Sequence, residues 1–253
     1  DYLDDAVSAL TALAVAAIPE GLPAVVTVTL AIGMHFMARR QAIVKQLASV
    51  ETLGCTTVIC SDKTGTLTMN QMMVRSFHYL GRRFSVSGQG YESAGRINAD
   101  DGRPLPDLTA LLQAAALCTD CDVQEGKVLG DPMEGALLVA AAKGGVNCRD
   151  LQLQIPRTAE IPFDSTHKFM ATFHRQGDVV RLYVKGAPEV LLPLCSMALT
   201  ANGIEAIAPQ PVMTEVEHMA SQALRVLAVA SRDLPLEEFD ICGDHIALVR
   251  GLT

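Results

Sequence analysis

Apolar and polar positions give the chain two textures. From Ala6 to Ala38 runs a stretch of 33 residues whose only ionisable members are Glu20 and His35. A straight helix of that length reaches roughly 50 Å against a hydrocarbon core of about 30 Å, so the run overshoots a bilayer or is unwound within it. Its middle is Pro19-Glu-Gly-Leu-Pro23. Neither proline can donate to the carbonyl four residues back, so a broken membrane helix is expected there. Thr56-Thr-Val-Ile-Cys60 is short and β-branched, which predicts a buried strand ending at Ser61-Asp62. Beyond Asn70 the pattern changes to short amphipathic strands, expected around 73–79, 82–86, 168–174, 179–185 and 225–231, broken by turns such as Gly88-Gln-Gly90. Helices fit 107–118, 131–143 and 212–224. The second has Asp131 as N-cap, Pro132 in the first helical position, Glu134 as capping-box residue and a stop at Gly144-Gly145. The expected class is α+β: a mostly antiparallel sheet with flanking helices over 73–253, preceded by the first strand and loop of another domain over 41–72 and a transmembrane helix over 1–40.

Composition narrows the function classes. With 253 residues the chain holds one or two domains and can bury a full core. A net charge of −8 opposes nucleic-acid binding by the chain as a whole. Arg39, Arg40 and Lys45 follow the apolar run directly, which predicts that residues after about 40 are cytoplasmic and that the chain is an integral membrane protein. A signal peptide fits poorly, because Asp1, Asp4 and Asp5 stand where a basic region belongs. The 7 cysteines are then expected to be reduced thiols. Cys118-Thr-Asp-Cys121 has zinc-like spacing, but no second pair accompanies it, and packing is the preferred reading.

Two clusters carry chemistry. In the apolar run, Glu20 stands beside carbonyls that the prolines leave unbonded, and a carboxylate among such carbonyls makes a hard-cation site. The candidate ligands are Glu20, Val15, Ala16 and Ile18; the alternative is a kinked helix whose end acid faces water. The second cluster is Asp62-Lys-Thr-Gly-Thr-Leu-Thr68, a carboxylate followed by a turn rich in amides, hydroxyls and one lysine. That set suits phosphoryl transfer onto Asp62, with Lys63 offsetting charge.

The string resembles the phosphorylation signature of P-type ATPases, in which the Asp accepts the γ-phosphoryl group of ATP. Pro19-Glu-Gly-Leu-Pro23, Ile43-Val44, Ser49-Val-Glu-Thr-Leu-Gly-Cys55 and Ile59-Cys-Ser-Asp62 are similar to the calcium-pump branch. The resemblance implies the fourth transmembrane helix, then the first strand and loop of a haloacid-dehalogenase-like phosphorylation domain, then the inserted nucleotide-binding domain. It implies ATP as substrate and Mg²⁺ as cofactor, with Asp62, Lys63 and Thr64 catalytic and Asp62 and Thr64 near the magnesium. Phosphatases of the wider superfamily place an Asp where this chain has Thr64, so the phosphoenzyme is expected to persist.

The resemblance also implies nucleotide contacts. Phe163, in Pro162-Phe-Asp-Ser-Thr-His-Lys168, matches the aromatic that stacks on adenine, and Lys168 a lysine near the nucleotide. Lys185 of Lys185-Gly-Ala-Pro-Glu189 matches the lysine lining the adenine pocket, with Gly186 permitting close approach of the ligand. Arg225 matches an arginine that meets the phosphates, and Glu134 an acid near the adenine amino group. Met133 departs from the threonine common in the family. The sequence has no Gly-Asp-Gly-x-Asn-Asp segment and no Thr-Gly-Glu loop. The expectation is therefore a piece of an ATP-driven cation pump, calcium being the favoured ion, that binds nucleotide but is catalytically incomplete. Its partners are ATP, the transported cation, the membrane and the pump's other domains. A nucleotide-binding module without transport and a soluble aspartate-nucleophile phosphatase are the rivals. Asp62 and Glu20 argue against the first, the apolar run and Thr64 against the second.

Overall fold

The structure is a computed structural model and describes residues 2–17, 21–124 and 126–253. It divides into two compact units, Asp1–Leu67 and Thr68–Thr253.

In the first unit the apolar run is two helices, α1 (Tyr2–Ala16) and α2 (Leu22–Arg39). Pro23 lies in the first turn of α2, where its missing N–H leaves no internal bond unmade. Glu20 and Ile18 fall outside the described residues; Val15 and Ala16 close α1. Among the described residues α2 is the helix long and apolar enough to cross a membrane. Its Val25, Val28, Ile32 and Phe36 are exposed. The hydroxyls of Thr11, Thr27 and Thr29 bond the carbonyls of Val7, Pro23 and Val25 one turn back, so none needs water. After α2 comes α3 (Leu47–Gly54), packed where Gly33 of α2 meets Val50. The strand expected over 56–60 does not form. Val58 and Ile59 are exposed, and no ladder partner for the segment exists among the described residues. A β-branched run becomes a strand only when a neighbour accepts its backbone bonds.

The second unit opens with an antiparallel sheet of β1 (Ser76–Tyr79), β2 (Arg82–Val86) and β3 (Ile97–Ala99), joined by α4 (Thr109–Leu117). A hairpin of β4 (Asp122–Gln124) and β5 (Lys127–Leu129) leads into α5 (Pro132–Lys143) and α6 (Cys148–Gln154). Asp131 caps α5 as expected, its carboxylate accepting from the amides of Met133 and Glu134. Then come β6 (Arg157–Ile161), β7 (Phe169–Gln176) and β8 (Val179–Gly186), the short α7 (Pro188–Leu191), and a hairpin of β9 (Met197–Thr200) and β10 (Gly203–Ala206). Finally α8 (Pro209–Ser221) precedes β11 (Ala228–Pro235).

The principal sheet is antiparallel with order β11-β8-β7-β6. One face carries Phe169, Ala171, Phe173, Val180, Leu182, Val184 and Leu234 into a core with Leu191, Val249 and Leu252. On the other face Met170 and Tyr183 pack against Ala114, Leu117 and Cys118 of α4 and its end. Amphipathic strands are expected at β7 and β8, yet both are buried along nearly their whole length, because this sheet is covered on both faces. Several boundaries differ from expectation, among them the start of β1 at Ser76 and not at 73. The last helix starts at Pro209 and not at 212, because prolines in the first turn cost no hydrogen bond, and it stops before Ala223, whose φ is 60°. The last strand begins at Ala228 and not at 225, where pairing with Gly186 starts.

Candidate functional site

The Asp62 loop is shaped by one glycine. Thr64 has φ/ψ of −78°/122° and Gly65 of 77°/−4°, the two central positions of a type II turn. A Cβ on Gly65 would meet nothing within 4 Å, so the glycine is required by its left-handed backbone and not by crowding. Asp62 is exposed just before this turn.

In the second unit the four-stranded register brings four candidate residues to one end of the sheet. Phe169 of β7 and Ala228 of β11 both stand opposite Gly186 at the end of β8, while β6 ends at Ile161 opposite Ala171. Phe163 follows β6, Lys168 precedes β7, Lys185 closes β8 and Arg225 precedes β11. Asp164 holds the loop between β6 and β7: its carboxylate accepts from the Thr166 amide at 2.6 Å, and its carbonyl from the Lys168 amide at 2.7 Å. The Thr166 hydrogen bonds also hold the Asp164 carboxyl below its ordinary range. In this loop the Phe163 ring is 60% exposed, whereas nearby Phe169 is buried, so Phe163 is not a core aromatic. Lys168 and Arg225 are exposed, Lys168 with a left-handed φ of 56°.

Lys185 differs from its neighbours. It is 3% exposed, and its ammonium is paired with the carboxylate of Glu134, itself 7% exposed. The other Glu134 oxygen accepts from the Asp120 amide at 2.8 Å. Two desolvated charges are tolerable only when paired and further hydrogen-bonded, and both conditions are met. One expectation needs correction. Glu134 does not act as a capping-box residue, because its carboxylate turns away from the cap to Lys185 and Asp120. Gly186 also has a reason internal to the fold to be small: a Cβ there would lie 2.6 Å from the Lys168 carbonyl and 2.7 Å from Phe169 and Leu191. The sequence reading missed Asp120, which contributes a backbone amide, and Arg157, which binds the Asp120 carboxylate at 2.5 Å. A main-chain donor leaves no mark in side-chain identity.

The seven cysteines are free thiols. Cys118 and Cys121 belong to the core, and the Cys118 thiol contacts the carbonyls of Met170 and Tyr183 at 3.6 Å. Burial pushes their pKa values up to about 11 and about 12, away from the thiolate a metal needs. They pack, as preferred.

Comparison with known proteins gives a consistent result. A family model described as "P-type ATPase, cytoplasmic domain N" matches residues 107–247. The chain is 46% identical to "Cation-transporting ATPase pma1" of Synechocystis sp., over 96% of this chain and 28% of that protein. It is 41% identical to the "Calcium-transporting ATPase" of Bacillus subtilis, over 89% of this chain and 27% of that protein. Against "Calcium-transporting ATPase type 2C member 1" of Pongo abelii the identity is 43%, over 87% and 25%. The chain thus spans about a quarter of the length of the curated relatives it matches.

Proposed function

The chain belongs to the P-type ATPases, and from that premise we propose that it supplies the ATP-binding region and the phosphoryl-accepting aspartate of a cation pump that transports calcium. The observation that carries this reading is the gathering of Phe163, Lys168, Lys185 and Arg225, in or next to the ends of four different strands, at one sheet end. In the proposal adenine stacks on the exposed Phe163 ring, and Lys185, oriented by Glu134, borders the base. Lys168 and Arg225 face the phosphates, for which a guanidinium fork suits Arg225.

Transfer then runs to Asp62. A carboxylate oxygen bonds to the γ-phosphorus, the bond to the β-phosphate bridging oxygen breaks, and ADP leaves. The amides and hydroxyls of the Thr64-Gly65 turn receive the transferred oxygens, and Lys63 offsets charge. Asp62 and Thr64 offer hard oxygen donors, which fits Mg²⁺, an ion usually held by one or two carboxylates with phosphate and water. When bound, that ion neutralises charge on the transferred group. The apolar helices would anchor the chain in a membrane with residues after 40 on the ATP side, and Glu20 with Val15, Ala16 and Ile18 would hold the transported cation.

Two outcomes test this. Phe163→Ala is expected to weaken ATP binding by about 1–3 kcal/mol if base stacking dominates. Because the ring is exposed, unfolding free energy is expected to shift by less than about 0.5 kcal/mol. Calorimetric titration with unchanged affinity would remove Phe163 from the site. In a full-length pump, Glu20→Gln is expected to raise the calcium concentration needed for phosphorylation from ATP, since ion and phosphoryl sites are linked. Superimposable calcium curves for the two proteins would place the ion site elsewhere.

A further inference from the structure

We propose that Arg157 is a positioning residue for the nucleotide end of the sheet, acting on Lys185 through Asp120 and Glu134; this rests on the reading of that end as an ATP site. Arg157 opens β6 just before a register slip against β7, where Arg157 pairs with His174 and Ala159 with Phe173. Such a bulge re-aims a side chain. The guanidinium bonds three acceptors: the Asp120 carboxylate at 2.5 Å, the Thr119 carbonyl and the Glu160 carboxylate. Two of the three lie in the connection between α4 and β4, a stretch with neither helical nor ladder bonds of its own.

That connection matters because the Asp120 amide is the backbone donor to Glu134, whose other oxygen takes the Lys185 ammonium. The relay runs from Arg157 to the Thr119–Asp120 backbone, to the Glu134 carboxylate, to the Lys185 ammonium. Each contact is direct, and both ends of the final pair are buried, so a shift of the Asp120 amide is not absorbed by solvent. Without Arg157 the Thr119–Asp120 stretch loses its side-chain clamp. Glu134 then trades a fixed orientation for several, and the position of the Lys185 charge blurs. A lysine at 157 keeps the charge and reaches one acceptor well, but it cannot span carboxylate and carbonyl with a planar fork.

The test uses the full chain in detergent micelles, wild type and with Arg157→Ala, Arg157→Lys, Glu134→Gln, and Arg157→Ala combined with Glu134→Gln. Amide hydrogen exchange at Asp120, read without nucleotide, is expected to accelerate in Arg157→Ala and by less in Arg157→Lys. ATP affinity by calorimetry is expected to fall roughly three- to tenfold in Arg157→Ala, but by less than about twofold when Glu134 is already Gln, the non-additivity expected of residues in one network. A purely structural role predicts effects that multiply. Unchanged exchange at Asp120 in either Arg157 variant, or independent effects of the two sites on affinity, overturns the proposal. Failure of the wild-type chain to bind ATP rejects the nucleotide reading instead, while exchange at Asp120 still decides whether Arg157 holds Glu134. The lysine variant keeps the comparison decisive should Arg157→Ala fail to fold.

Discussion

In a full-length pump, Asp62→Asn is expected to abolish the acid-stable, hydroxylamine-labile phosphoenzyme formed from terminally labelled ATP. The amide has nearly the volume of the carboxylate but lacks the nucleophilic oxygen charge, so chemistry is lost with little reason for the loop to rearrange. The neighbouring type II turn depends on Gly65 and not on the Asp62 charge. ATP affinity is expected to persist, because the proposed adenine contacts lie in the unit Thr68–Thr253 and Asp62 in the other. Label retained at this position in the variant would reject the nucleophile role. Loss of both label and ATP binding would point to unfolding and call for a circular-dichroism control.

The largest expected effect on stability comes from Glu134→Ala. The substitution leaves the Lys185 ammonium, 3% exposed, without a counter-ion and takes the acceptor from the Asp120 amide. Breaking one side of a buried pair costs about 3–5 kcal/mol, much of it the penalty of the orphaned charge. Removing both charges is a different matter. Glu134→Leu combined with Lys185→Met is expected to recover most of that loss, since apolar replacement of an ion pair avoids desolvation. Denaturant titrations followed by circular dichroism check both. A loss below about 1 kcal/mol for Glu134→Ala would mean that the pair is open to water. The double variant is expected to remain impaired in ATP binding despite its stability, which separates the functional role of Lys185 from its structural one.

The same pair shows how far the sequence could be read. The motifs around Glu134 and Lys185 were visible, and so was the cap that starts α5, because Asp131 and Pro132 act on the three residues that follow them. The role of Glu134 was misread. At the third position after the cap a glutamate can reach back to the cap, but here it points to β8, 51 residues on. Nothing within one helical turn distinguishes the two. The strand expected over 56–60 failed for a related reason: β-branched residues favour extended backbone, yet a strand needs a partner, and partners are not properties of the segment. Short elements such as β4, β5, β9 and β10 escaped because three or four residues hold too few periods to display alternation.

By itself, the sequence determined those features that neighbouring residues control. These are the broken apolar run, the Gly65 turn beside Asp62, the capped start of α5 and the alternation that marked β2. Each follows from backbone preferences or side-chain periodicity over a few residues. Only the tertiary structure decided which charges are buried and what they meet. Sheet register put Phe163, Lys168, Lys185 and Arg225 at one end, buried Lys185 with Glu134, and left Phe163 in the open. It also gave Gly186 a reason other than ligand approach, the closeness of the Lys168 carbonyl. Burial is a property of the whole packed unit, and the desolvation that makes a charge pair matter exists only once distant strands have closed around it.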